Sequence, residues 1–345
     1  MYKYNATLKL SDGSTFKGFG AGFMQNTGEK EIVFHTNNVG IVQVVTDPCN
    51  AGQIIVQTFP MIGDIINAHS EVESDDYVAS GYILKTLNHF TKNQCKVEFD
   101  EFLKSKGIPC ITGIDTRALT NKIRESTVKI TGKIIFDNPT TFALARNLMG
   151  KLSQFTIGEG PINVALVNLG MKNSTKNILL KYATLNVFNA DVDYNKIMAV
   201  KPQAIVISEG PGTPSSQKLA INLVKANLAT KVPVPMLGLG LGANILALGH
   251  GFKVVRLPVG HHGNQAIRKI STGKIYQVAS NSNMTVSQKS ITHAAKISYQ
   301  NICDNSIVGL NYKKSKSMGF DFFAQNQADS DCLSFIWDEF FGGIN

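Results

Sequence analysis

PMLGLGLGANILALGHGF, residues 235–252, decides how the second half of this chain is read. Gly238, Gly240 and Ala243 spell G-x-G-x-x-A, the spacing of a turn that cradles a dinucleotide pyrophosphate. The same strand–turn–helix shape is where many hydrolases hold a catalytic nucleophile on a sharp elbow. At the apex, where such a nucleophile would sit, the residue is Gly240. A third reading needs no ligand, because glycines also let a helix pack closely on a strand. The dinucleotide reading further requires an acid about twenty residues on, to hold the ribose. The first acid after Gly240 is Asp304, which leaves only Arg256 as a contact for a 2′-phosphate. The turn also arrives after several strands, whereas the dinucleotide fingerprint normally opens the first βαβ unit. Both points weigh against a cofactor loop.

The surrounding pattern favours an α/β sheet. From Asn163, NVALVNLG (163–170), LNVFNAD (185–191), AIVISEGPGTP (204–214) and VPMLGLG (234–240) read as strands. STKNILLKYA (174–183), SSQKLAINLVKANLA (215–229) and GANILALGHG (242–251) read as the helices between them. Buried-looking strands alternating with helices imply a mainly parallel sheet covered on both faces, with ligands at the carboxyl ends of the strands. That rule places the EGPGTP loop beside GLGLGAN.

The first half differs. YNATLKLSDGSTFKGFG (4–20), KEIVFHT (30–36) and GQIIVQTF (52–59) predict strands, and YVASGYILKTLNHFT (77–91) and FDEFLKSKG (99–107) predict helices. In GIDTRALTNKIRE (113–125), Asp115 or Thr116 can cap a helix that places Leu119 and Ile123 on one face. Residues 137–162 read as a short helix followed by a polar linker. The expected organisation is an N-terminal domain over 1–150, a linker over 151–162 and a C-terminal domain over 163–345.

Composition narrows the function classes. Hydrophobic residues at 43% and charged residues at 17% of 345 fit a globular protein. The net charge of +9 is unevenly spread, since no Asp or Glu occurs from Gly210 to Cys303. The Lys and Arg of that stretch are scattered, without the aromatic clusters or basic helix of a nucleic-acid binder, and fit a solvated or partner-facing surface better. Five cysteines without a C-x-x-C pair argue against a disulfide framework or a structural zinc and for a reducing, cytoplasmic setting. The N-terminus lacks the apolar core of a signal peptide. Val232–Phe252 is uncharged and long enough to span a bilayer, but its prolines and glycines read better as strand, turn and buried helix.

Several motifs carry a resemblance. EIVFHTNNVGIVQVVTDPCNAGQIIVQTFPMIGD (31–64) and GIPCITGIDTRALTNKIRE (107–125) lie in the first half. NLGMKNSTKNIL (168–179), SEGPGTP (208–214), the opening stretch, GHHGNQAI (260–267) and ASNSNMTV (279–286) follow in the second. In this order, over nearly the whole chain, they resemble the small, glutaminase subunit of carbamoyl-phosphate synthetase. The resemblance implies an N-terminal domain peculiar to that family, followed by a C-terminal class I glutamine amidotransferase domain. It implies glutamine hydrolysis, with ammonia passed through a tunnel to a partner, the large synthetase subunit, in pyrimidine or arginine biosynthesis. It implies no cofactor or metal on this chain, ATP and metal belonging to the large subunit. Such chemistry needs a thiolate on the elbow, a His to activate it and a Glu to orient the His.

The departures from the family decide the expected activity. Its elbow reads G-x-C-x-G-H-Q where this chain has Gly238 to Asn244, so Gly240 takes the nucleophile position. Its Q-G-H-P-E segment, set on FAQNQ, puts Gln325 at the His and Gln327 at the Glu. Glycine offers no nucleophile, and a neutral amide is no base near neutral pH. Asn37 stands where a Ser is usual, and the Q-N-H-G-F segment becomes Ser280–Met284, keeping only Asn281. A remnant glutamine pocket would consist of Asn37, Gly210, Gly212, Leu241, Asn244 and Asn281, with the backbone of Gly210, Gly212 and Leu241 outlining an oxyanion hole. His261 and His262 are expected to be structural, since neighbours on a strand point apart. Cys332 lies just past the lost positions and is the candidate for a displaced nucleophile. The expectation is an inactive glutaminase that supports an ammonia-using large subunit. A working glutaminase and a detached scaffold protein are the alternatives.

Overall fold

Alternating side chains in ATLKL bury every second position of β1 (Ala6–Leu10), and a turn at Gly13 (φ 86°) returns the chain into β2 (Thr15–Gly22). The computed structural model describes residues 4–36, 40–62, 65–66, 72–74, 78–87, 96–97, 99–126, 128–140, 154–323 and 334–344. The chain divides into two units, residues 1–150 and 151–345.

In the first unit β3 (Lys30–His35), β4 (Gln53–Gln57), β5 (Gly81–Ile83), β6 (Pro109–Thr112) and β7 (Thr131–Phe136) join β1 and β2. They close a barrel in the order β1-β7-β3-β4-β5-β6-β2, parallel from β3 to β6 and antiparallel elsewhere. Leu8, Ile32, Ile54, Ile83, Ile111 and Ile134 form one buried cluster drawn from six strands. Ile55, Tyr82 and Cys110 instead pack with α1 (Ile41–Thr46) and α2 (Phe99–Ser105). The side chain of Asp115 accepts from the Ala118 N–H at 3.0 Å and caps α3 (Thr116–Glu125) as the sequence predicts, with Leu119 buried.

One expectation fails here. The helix read into 77–91 is absent: Gly81–Ile83 is barrel strand β5, and Thr86–Leu87 pairs with Met61–Ile62. The apolar run Tyr82–Leu84 is buried on both faces of its strand, and periodicity cannot tell such a run from a buried helix. The short helix expected after 137 falls largely on residues outside those described.

In the second unit β8 (Phe155–Ile157), β9 (Ile162–Asn168), β10 (Ala183–Asn189), β11 (Ala204–Ile207) and β12 (Met236–Leu239) precede the elbow. The chain continues through β13 (Val254–Lys269), β14 (Ile275–Val286), β15 (Ala295–Asn301), β16 (Ile307–Tyr312) and β17 (Ser317–Phe320). The ten strands form one sheet, β8-β10-β9-β11-β12-β17-β16-β15-β13-β14. The run from β10 to β17 is parallel and the rest antiparallel. Residues 155–157 of the expected linker are therefore strand, paired with β10.

Both faces are covered, as a parallel sheet requires. Along β9, Val164 and Leu166 join one cluster with Leu179 of α4 (Asn173–Leu179) and Ile336, Trp337 and Phe340 of the C-terminal helix (Ser334–Phe341). Ala165 and Val167 join another with Ile197 of α5 (Tyr194–Ala199), Leu223 of α6 (Lys218–Ala229) and Ile245 of α7 (Leu241–Gly249). No helix among the described residues is long and apolar enough to cross a membrane. The uncharged stretch from Val232 is strand, turn and helix.

The dinucleotide reading fails on topology. The strand after α7, which carries Arg256, is half of an antiparallel hairpin and does not return parallel beside β12. The parallel neighbours of β12 are β11 and β17.

Candidate functional site: an elbow without a side chain

β12 ends in the middle of the parallel run, so its carboxyl end is where such a sheet presents ligands or chemistry. The turn there is tight. Gly240 has φ 52° and ψ −114°, a combination that side-chain-bearing residues rarely adopt. Its N–H donates to the Phe320 carbonyl at 2.8 Å, which ties the apex to the end of β17. Behind the apex, α7 lies so close to β11 that a Cβ on Gly242 would stand 2.1 Å from the Ile207 carbonyl oxygen. The opening glycines serve a sharp strand–turn–helix elbow whose apex, Gly240, carries no side chain.

Glu209, two residues past β11, sets its Cβ beside the apex. A Cβ on residue 240 would stand 3.1 Å from the Glu209 Cβ and 3.6 Å from the Phe323 ring. Glu209 is fully buried. Its Oε1 accepts from the Thr175 hydroxyl at 2.6 Å and the Lys172 N–H at 3.1 Å, whereas Oε2 has no hydrogen-bond partner among the described residues. Burial raises its carboxyl above the ordinary carboxylate value, and the Lys172 charge and the Thr175 hydrogen bond offset part of that. The Lys172 ammonium, itself buried, lies 3.4 Å from the Phe323 ring centroid. Glu209, Thr175, Leu239, Phe320, Phe322, Phe323, Ile336 and Trp337 line a cavity of about 10 Å³. Small-molecule pockets generally run from about 300 Å³ upward.

The first residue past β17 is Asp321, which also faces the elbow helix. Its Oδ2 accepts from Asn244 Nδ2 at 3.1 Å and the Ser282 hydroxyl at 2.9 Å. Burial pushes its carboxyl up to about 6, against the opposing pull of those hydrogen bonds and of His261.

Of the expected pocket residues, five are among the described ones, Gly210, Gly212, Leu241, Asn244 and Asn281. Gly210 is buried beneath Leu169, whose carbonyl oxygen would be 2.2 Å from an added Cβ, and Gly212 lies exposed at φ 105°. The loop is held by the Ser208 hydroxyl, which accepts from Leu169 N–H at 2.9 Å and donates to the Glu209 carbonyl at 2.7 Å. Leu241 opens α7, so its N–H has no partner within the helix. These backbone groups can outline an anion site, but Asn244 is committed to Asp321, and Asn281 to His262 Nδ1 at 2.8 Å. His262 Nε2 also meets Asn283 at 3.1 Å, and His261 Nε2 meets Asp304 at 2.8 Å. The two histidines thus point apart into separate polar contacts. Asn37, Gln325, Gln327 and Cys332 lie outside the described residues.

Glu209 and Asp321 escaped the sequence reading. The available signal was position: each is within two residues of the carboxyl end of a parallel strand flanking β12, where site residues collect. Elsewhere in this unit, an open groove of about 780 Å³ follows the hairpin, with Arg256, Lys289 and Asp304 in its lining.

Comparison with known proteins agrees with the architecture. Residues 8–134 match the family described as carbamoyl-phosphate synthase small chain, CPSase domain, and residues 165–322 match glutamine amidotransferase class-I. The chain is 30% identical to the carbamoyl phosphate synthase small chain of Clostridium acetobutylicum, over 96% of its own length and 98% of that protein's. It is 32% identical to the small chain of Archaeoglobus fulgidus, covering 89% of this chain and 90% of that one. Among solved structures, a glutamine amidotransferase from Thermotoga maritima aligns over 52% of this chain and 84% of its own, with 14% identity and a TM-score of 0.40. On its sequence relatives, which it matches nearly end to end, this chain belongs to the carbamoyl-phosphate synthase small-chain family.

Proposed function

We propose that this protein is a small subunit that has lost glutamine hydrolysis and acts by docking on and supporting a large synthetase subunit that uses free ammonia. One observation carries this reading. The elbow apex is Gly240 at φ 52°, which offers no nucleophile, and a Cβ placed there would stand 3.1 Å from the Glu209 Cβ.

Glutamine hydrolysis by a thiolate needs the nucleophile, a base to take its proton, and donors for the oxyanion. Only the last can be supplied by main chain here. Asp321 is a carboxyl held by Asn244 and Ser282, with no thiol on the elbow to activate.

Co-expression with a large subunit tests the role. The pair is expected to copurify and to form carbamoyl phosphate from ammonium chloride but not from glutamine. Glutamine-dependent synthesis that survives loss of Cys332 would replace this reading with a working glutaminase. Failure to copurify would favour a detached scaffold.

A further inference from the structure

The cavity in front of Gly240 has a chemistry that the docking role does not use. Four of its walls are aromatic: Phe320, Phe322, Phe323 and Trp337. The faces of aromatic rings attract cations. Its polar wall is Glu209, whose Oε2 is buried with no hydrogen-bond partner among the described residues. An acceptor left unmade in such a place is costly, so a donor that fits is favoured there. The free volume of about 10 Å³ is close to the room one water-sized particle takes. One ring of the lining, Phe323, already takes the ammonium of Lys172, which lies outside that lining.

We propose that this cavity is a binding site for a single ammonium ion, held by Glu209 Oε2 and the aromatic walls. Ammonium matches each requirement. It is the size of water, it carries the charge that ring faces and a carboxylate attract, and it brings directed N–H donors for Oε2. Sodium and potassium carry the charge but need a shell of several oxygens, and the cavity offers one carboxylate and the Thr175 hydroxyl. Larger alkylammonium ions exceed the space. The inference stands on the cavity and not on the docking role, so it can be tested on this chain alone.

Trp337 is the only tryptophan in the sequence and lines the cavity, so its emission reports occupancy directly. The full-length chain is titrated at pH 7 and constant ionic strength with ammonium chloride, sodium chloride or tetramethylammonium chloride. The expected result is a saturable change with ammonium, at least about tenfold weaker with the other two cations. In Glu209→Gln, which keeps the side-chain shape, the ammonium response should weaken by a similar factor. Phe323→Leu, which removes one ring face, should weaken it too and serves where Glu209→Gln fails to fold. A response that does not saturate, that is the same for all three salts, or that survives in the folded variants at wild-type affinity would overturn the proposal.

Discussion

At Gly240 the backbone holds angles that a Cβ would strain, and the neighbouring Glu209 leaves 3.1 Å where that Cβ would go. Gly240→Ala is therefore expected to destabilise the chain by about 1–3 kcal/mol, seen as a lower urea midpoint at unchanged slope. Gly240→Cys should not restore glutaminase activity, because Glu209 crowds the new side chain and the sequence puts Gln325 at the family's His position. Asp321 sets a pH dependence. Its folded value of about 6 lies above the ordinary 3.8, so the stability it contributes is full below pH 3.8 and lost as pH rises through 6. Asp321→Asn should then raise stability at pH 7.5 by roughly 1–3 kcal/mol relative to its effect at pH 4. His250 works in the opposite sense. Burial lowers it from 6.5 to about 4, so its contribution is present above 6.5 and lost as pH falls toward 4. Denaturation midpoints of Asp321→Asn between pH 4 and 7.5 separate the two.

Among the elements, α7 and the strands beneath it are the least tolerant of added volume. Gly242→Ala places a methyl 2.1 Å from the Ile207 carbonyl oxygen, and neither backbone can withdraw without breaking the β11–β12–α7 packing. The expected loss is about 3 kcal/mol or more, measured by chemical denaturation or as failure to accumulate folded protein. This element was plain in the sequence, because glycines between an apolar strand and an apolar helix have few other uses. The capped helix α3 was plain for a similar reason, since Asp115 and the Leu119 period are local signals. Strand β5 was not, since Tyr82–Leu84 is buried on both faces of the barrel wall and loses its period. The site divides the same way. Gly240 is visible at its own position, whereas Glu209 acquires its role from Thr175, thirty-four residues away, and Asp321 from Asn244, seventy-seven away. Pairings at that distance are written in the strand order and not in any window of sequence.

For the whole molecule, the proposed loss of glutamine hydrolysis leaves the amidotransferase-like unit its use as a surface. The stretch from Gly210 to Cys303 has no acid, and within it Arg256 and Lys289 line the open groove along the hairpin beside the exposed Val255. On the proposed docking role, Arg256 and Lys289 favour an acidic face of the large subunit as the occupant, Asp304 being the one acid in the lining. Arg256→Glu with Lys289→Glu should weaken copurification by about tenfold or more and reduce its sensitivity to salt, while the fold stays intact. The central claim, an elbow kept without its chemistry, is tested most directly by counting glutamate released from glutamine per chain, with the large subunit present. The account predicts a rate indistinguishable from that of the large subunit by itself, and unchanged by Cys332→Ser. Sustained turnover of glutamine by the wild-type chain would contradict it.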